Sequence, residues 1–171
     1  MANTYILIAS STVGAGGASS IDFTSIPSTY TDLVVKLSLR TASGLATEQL
    51  FMKFNGSSSS YSNKQLYGDG SSATSAALST SAIDIININT GAATSNTFSS
   101  TDVYIPNYAG LNYKSTSADS VTENNATGAL AGLSAGLWSN TAAITSISFT
   151  NQDSSNFVQY STAYLYGVKN A

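Results

Sequence analysis

The chain has no cysteine and no histidine among its 171 residues. Without thiols there is no disulfide framework, and without thiolate or imidazole there is no zinc site of the usual kind. Nucleophile–histidine dyads, triads and cysteine catalysis are excluded with them. Charge is scarce as well: Asp, Glu, Lys and Arg make up 9% of the residues, against roughly 25% in an ordinary soluble protein. The six cations are scattered singly, as Lys36, Arg40, Lys53, Lys64, Lys114 and Lys169. They form no basic patch, so no nucleic-acid partner is expected. Long apolar runs are missing too. No stretch approaches the ~20 apolar residues that span a bilayer, and no membrane partner is expected. The N-terminal MANTYILIASSTV has no basic segment, and its apolar run is too short and interrupted for a signal peptide. The expectation is therefore a protein made in the cytoplasm and soluble there.

Hydroxyls take the place of charge. Ser and Thr make up about 30% of the residues. A neutral polar surface of this kind suits tight assembly, because little charge must be desolvated. The apolar residues follow a period of two. In DLVVKLSLR (32–40), Leu33, Val35, Leu37 and Leu39 share one face, the mark of a strand with one side on a core. EQLFMKFNG repeats the pattern with Leu50, Met52 and Phe54 and ends in the turn pair Asn55-Gly56. In AIDIININT (82–90) the isoleucines switch faces, which calls for a bulge or burial on both sides. Further strands are read in TYILIASST, SSIDFTSIP, NTFSSTDVYIPN, YKSTSADSV, LSAGLWSN, ITSISFT and FVQYSTAYLYGV. ALAGLSAGLW is ambiguous between helix and strand, and its two glycines favour strand. GSSSSYSN (56–63) and YGDGSSATSAALSTS (67–81) read as loops rich in small residues. About ten strands at this spacing predict an all-β protein: an antiparallel β-sandwich of jelly-roll type. Residues 1–18 are read as an N-terminal strand or flexible arm and 19–171 as one domain.

The chemistry-bearing residues are few. Nine carboxylates are spread over turns and strand ends, where Asp bonds its local backbone, and they come with no partner set for hydrolysis; no catalytic residue and no cofactor is expected. The densest stretch is SADSVTENNATGAL (117–130), with Asp119, Glu123, Asn124 and Asn125. These are oxygen donors of the type calcium takes, but the spacing is not that of an EF-hand loop, and a capped turn is the alternative. The ten tyrosines stand out more. Tyr104, Tyr108 and Tyr113 lie close together, and Tyr160, Tyr164 and Tyr166 alternate along one stretch. A ring with one hydroxyl suits sugar stacking and protein interfaces alike, and it equally suits half-buried sheet positions. These six are the candidate interface or glycan-contact residues.

Taken in order, IDFTSIPSTYTDLVVKLSLRT, KFNGSSSSYS, VYIPNYAGLNYKS with DSVTENN, and GLWSNTAAITSISFTNQDSSNFVQYSTAYLYGVK resemble a group of small tailed-phage virion proteins of marine and cyanobacterial phages. The resemblance runs from Ser19 to Lys169. It implies a non-enzymatic building block with a jelly-roll fold, assembled in the host cytoplasm and located in the virion. On it, VTENN is a turn between strands and not a catalytic centre; no metal-site residue is assigned. Two roles are implied. One is a capsid decoration (cement) protein, a homotrimer bound across major capsid protein subunits or other virion proteins. The other is a tail-fibre or head-appendage module that binds a host glycan.

Overall fold

A computed structural model describes residues 4–78, 81–125 and 128–169. Twelve strands make up its regular structure: β1 (Tyr5–Thr12), β2 (Ile21–Phe23), β3 (Asp32–Leu39), β4 (Glu48–Phe54), β5 (Tyr61–Gly68), β6 (Ala73–Leu78), β7 (Ile83–Ile88), β8 (Ser99–Ile105), β9 (Lys114–Val121), β10 (Ala131–Trp138), β11 (Ile147–Asn151) and β12 (Thr162–Val168). They form two antiparallel sheets. One has eight strands in the order β1-β12-β3-β8-β9-β10-β5-β6, and the other has four in the order β2-β11-β4-β7. The all-β class and the packed antiparallel sheets are those expected from the sequence. The strand count is higher, because the two stretches read as loops contain β5 and β6. The Tyr67–Ser81 stretch holds the end of β5, a tight turn and β6. That turn closes on Asp69, whose Oδ1 accepts the backbone N–H groups of Ser71 (2.9 Å) and Ser72 (2.7 Å). The N-terminal segment is part of the same unit. β1 pairs along β12, and Ala18 bridges to Phe157.

The core forms where the period-two faces meet. Leu33, Val35, Leu37 and Leu39 of β3 and Val103 and Ile105 of β8 face Leu50, Met52 and Phe54 of β4 and Ile147 and Phe149 of β11; all are buried. Removing such side chains from water stabilises by ~25 cal/mol per Å² of apolar surface. Trp138 closes one end, stacked on Tyr61 at 6.1 Å and tilted against Phe54 at 5.7 Å between ring centroids. The face switch in the isoleucine stretch is a bulge. The β4–β7 register slips between Gln49 and Phe51, and Ile86 takes a φ of 29°. Ile85 then joins the core, while Ile86 lies where a Cβ on Gly132 would sit, 2.6 Å away. Gly136 is under the same constraint, since its Cβ would stand 2.7 Å from Ile83 Cγ2. These two glycines let β7 lie directly on β10.

That close approach solves a problem for β7, the last strand of the small sheet, whose outer backbone groups have no strand to pair with. Side chains of the large sheet supply the partners. Asn63 Nδ2 donates to Ala82 O (3.1 Å), and Asn63 Oδ1 accepts from Asp84 N (3.1 Å). Gln65 Nε2 and Ser134 Oγ donate to Asp84 O at 3.2 and 2.6 Å, and Ser120 Oγ donates to Asn87 O at 3.1 Å. The inward faces of β9, β10 and β5 are polar for this reason.

Candidate functional site

The outer face of the eight-stranded sheet is uncovered, and its register sorts it into rows. One row reads Leu66, Leu133, Asp119, Asp102, Lys36, Tyr164 across six strands. The next reads Lys64, Ala135, Ser117, Tyr104, Val34, Tyr166, Leu7. Aromatic and branched side chains therefore gather at the β1–β12–β3–β8 end, where Tyr5 meets Tyr166 edge-on at 6.3 Å. Leu66, Val121 and Leu133 stand exposed at the other end. The middle holds Lys36, ion-paired to Asp102, with Asp119 directly opposite Asp102 on the neighbouring strand. The hydrogen bond from Lys36 to Asp102 raises the lysine above its ordinary pKa. The two aspartates line hollows of the outer face together with Lys36.

The six tyrosines do not form one site. Tyr104, Tyr164 and Tyr166 share the outer face. Tyr104 donates its hydroxyl to Asp32 Oδ2 at 2.8 Å, and that bond lifts the phenol above its usual pKa. Tyr108 is fully buried and donates to Pro27 O. Its ring packs in the core and is closed to any partner, so it leaves the candidate set. Tyr113 precedes β9 and Tyr160 precedes β12, both exposed. The register puts them at opposite ends of the sheet, because Thr162 aligns through Ser38 and Ser100 with Val121, the far end of β9 from Tyr113. Eight residues of strand separate them by about 25 Å. Tyr160 also lies outside the strand it was read into; its φ is 72° and its N–H bonds Val13 O. The face itself was legible only in part. Tyr5, Leu7, Leu66, Val121 and Leu133 were missed, since the leucines of LSAGLW read most simply as core.

The VTENN stretch is a turn between β9 and β10. Thr122 closes its neck by accepting from Leu130 N at 2.8 Å, and Glu123 Oε1 accepts Asn125 N at 2.7 Å. Asp119 lies back on the sheet face, apart from this turn. Ala126 and Thr127 lie outside the described residues. Among the described residues no three of His, Cys, Asp and Glu gather to hold a metal.

Glu48 and Asp84 are buried carboxyls. Glu48 accepts Thr41 Oγ1 (2.6 Å), Ser155 Oγ (3.3 Å) and Asp153 N (3.0 Å). Burial, with Asp153 beside it, raises its pKa, and the bond from Glu48 holds Asp153 well below the carboxylate range. Asp84 is pushed up to about 6 by burial, and its Oδ1 has no hydrogen-bond partner. Beside it, where the β5–β6 hairpin overhangs β4 and β7, lies a cleft of about 400 Å³ lined in part by Gln49, Gln65, Tyr67 and Asn87. No family model matches the chain, and no curated protein or solved structure is significantly similar to it.

Proposed function

We propose that this chain is a non-enzymatic virion component of a tailed phage, a decoration protein that binds the assembled head across neighbouring major capsid subunits, as a trimer, and stabilises it. The resemblance of its sequence to small phage virion proteins supports the reading. So does the strand order: β1-β12-β3-β8 against β2-β11-β4-β7 is consistent with the interleaving expected of a jelly roll, with β5–β6 and β9–β10 as hairpins that widen one sheet. The observation that carries the proposal is the outer face of that sheet. It exposes Tyr5, Leu7, Tyr104 and Tyr164 toward one end and Leu66, Val121 and Leu133 toward the other, with the Lys36–Asp102 pair and Asp119 between them. Apolar side chains exposed on neighbouring strands mark a contact site.

The mechanism is linkage. A protein that binds only the assembled shell stabilises it by RT ln(1 + [L]/Kd), about 2.7 kcal/mol per site at a concentration of ~100 Kd. Expanded heads lacking the protein are expected to bind it in hundreds of copies and to withstand higher temperature or pressure afterwards. Leu133→Asp and Tyr164→Asp, which place charge on the exposed face, are expected to abolish binding while the free protein stays folded. Heads that neither bind the chain nor change in stability would reject the proposal.

A further inference from the structure

The cleft under the β5–β6 hairpin has a chemistry that the assembly reading does not use. Gln49 and Asn87 are directly paired across β4 and β7. By strand alternation Gln49 lies on the face turned away from Leu50, Met52 and Phe54, outside the core. Gln65 and Tyr67 come from β5, and Leu78 and Ile86 complete the apolar part of the wall. The side-chain amides of Gln49 and Asn87 engage no partner among the described residues, although both residues are half-buried. Gln65 is 7% exposed; its Nε2 is committed to Asp84 O at 3.2 Å, and its carbonyl oxygen remains to accept. Half-buried amides with no partner in the protein remain open to bond water or a ligand.

The volume of about 400 Å³ falls within the ~300–1,000 Å³ of small-molecule sites. Among the described residues that line it, none is charged. An anion or a cation would lose its hydration with no countercharge to replace it. A purely apolar ligand would leave the amides unbonded. A sugar fits both demands, since its ring carries an apolar C–H face for Tyr67, Leu78 and Ile86 and a rim of hydroxyls for three carboxamides. We propose that this cleft is a binding subsite for a neutral saccharide, with Gln49, Gln65 and Asn87 bonding the hydroxyls and Tyr67 stacking on the ring. The site is distinct from the outer-face tyrosines and stands whether or not the chain decorates a head.

The test is titration of the ¹⁵N-labelled full chain with maltotriose, cellotriose and tri-N-acetylchitotriose, each to about 20 mM, above the ~1 mM Kd expected of a shallow neutral site. At least one sugar is expected to shift the side-chain amides of Gln49, Gln65 and Asn87 saturably. Gln49→Ala and Asn87→Ala are expected to weaken that binding at least tenfold with an unchanged Tm, because neither side chain bonds within the chain. Tyr67→Ala is expected to do the same, and Gln49→Ala decides the matter where Tyr67→Ala disturbs the fold. The proposal is overturned if none of the three sugars shifts these amides, or if the shifts fall on Tyr104, Tyr164 and Tyr166 instead. It is also overturned if the same amides shift with protein concentration alone, which would make the cleft a seat for a second copy.

Discussion

Two cations that look like surface charges from the sequence are internal fasteners. The Arg40 guanidinium is buried without a carboxylate and donates to the carbonyls of Thr94 (2.8 Å), Thr97 (3.0 Å), Ala93 (3.0 Å) and Gly91 (3.4 Å), pinning the loop between β7 and β8. Lys114 does the same for the loops at its end of the sandwich, bonding Gly110 O at 2.6 Å and Thr141 O at 3.4 Å. Burial lowers the pKa of both. Arg40→Met keeps the aliphatic stem and strips four carbonyls of their donor. It is expected to cost about 2–4 kcal/mol, read as a lower midpoint in urea at unchanged slope. Asp84 is the reverse case, a buried group that weakens the fold. Its carboxyl titrates at about 6 in the folded chain against an ordinary 3.8. Between those values the folded state holds a proton that the unfolded state has released, so this group's contribution to stability falls as pH rises through the window and is flat above it. Asp84→Asn removes the titration. The variant is expected to be more stable than the parent at pH 7 by on the order of 2–3 kcal/mol, with the gap closing below pH 4. Glu48, also raised, titrates alike in both proteins and cancels from the difference. Urea denaturation of the pair at pH 4 and pH 7 checks this, and a gap that persists in acid would contradict it. Neither role is visible in the sequence, since a lone Arg or Asp between strands gives no hint of what it faces.

At the scale of elements, the unpaired edge of β7 decides the design. Its backbone is satisfied by Asn63, Gln65, Ser134 and Ser120 from three strands of the other sheet. Ser134→Ala leaves Asp84 O with the longer bond from Gln65 alone and is expected to cost about 1–2 kcal/mol. Asn63→Leu orphans a donor and an acceptor together and is expected to cost about 2–4 kcal/mol. Amide hydrogen exchange at Asp84, whose N–H bonds Asn63, is expected to speed up in the second variant before the core strands respond. This arrangement also explains which elements could be read beforehand. The strands on the hydrophobic core, such as β3, β4 and β11, carry apolar residues at every second position, and the reading succeeded there. In β5 the inward positions after Tyr61 are Asn63 and Gln65, and in β10 they are Gly132, Ser134, Gly136 and Trp138. The usual inference from apolar to inside therefore fails on this part of the sheet. In the sequence β5 and β6 therefore read as loop, and nothing marks the outward leucines of β10 as surface. The cleft was beyond reach for a related reason. Gln49, Gln65 and Asn87 come from three strands, and ordinary amides carry no spacing signal.

For the molecule as a whole, the closing pair is made by the ends of the chain. β12 lies between β1 and β3, in the interior of the large sheet, while β1 lies at its edge. Every neighbour of β12 is distant in sequence, and the sandwich cannot close its core until Ala163 and Leu165 arrive. Long-range pairing of this kind slows folding to the range of about milliseconds to seconds. The two termini should then differ in what their loss does. Removal of residues 162–171 strips β1 and β3 of their shared partner and uncovers Val35 and Leu37. The product is expected to show no cooperative transition in urea. Removal of residues 1–12 uncovers only one side of β12 and leaves the core cluster of β3, β4, β8 and β11 intact. That product is expected to unfold in one cooperative step, with stability lowered by several kcal/mol. It also separates folding from the proposed binding to heads. Tyr5 and Leu7 leave with β1, while Tyr104, Tyr164, Leu66, Leu133 and Val121 remain, so a folded protein that has lost one edge of its exposed apolar face is expected to bind heads at least tenfold more weakly. Cooperative unfolding of the chain lacking β12 would mean that the large sheet closes without its inner strand, and undiminished head binding by the chain lacking β1 would place the contact elsewhere on the molecule.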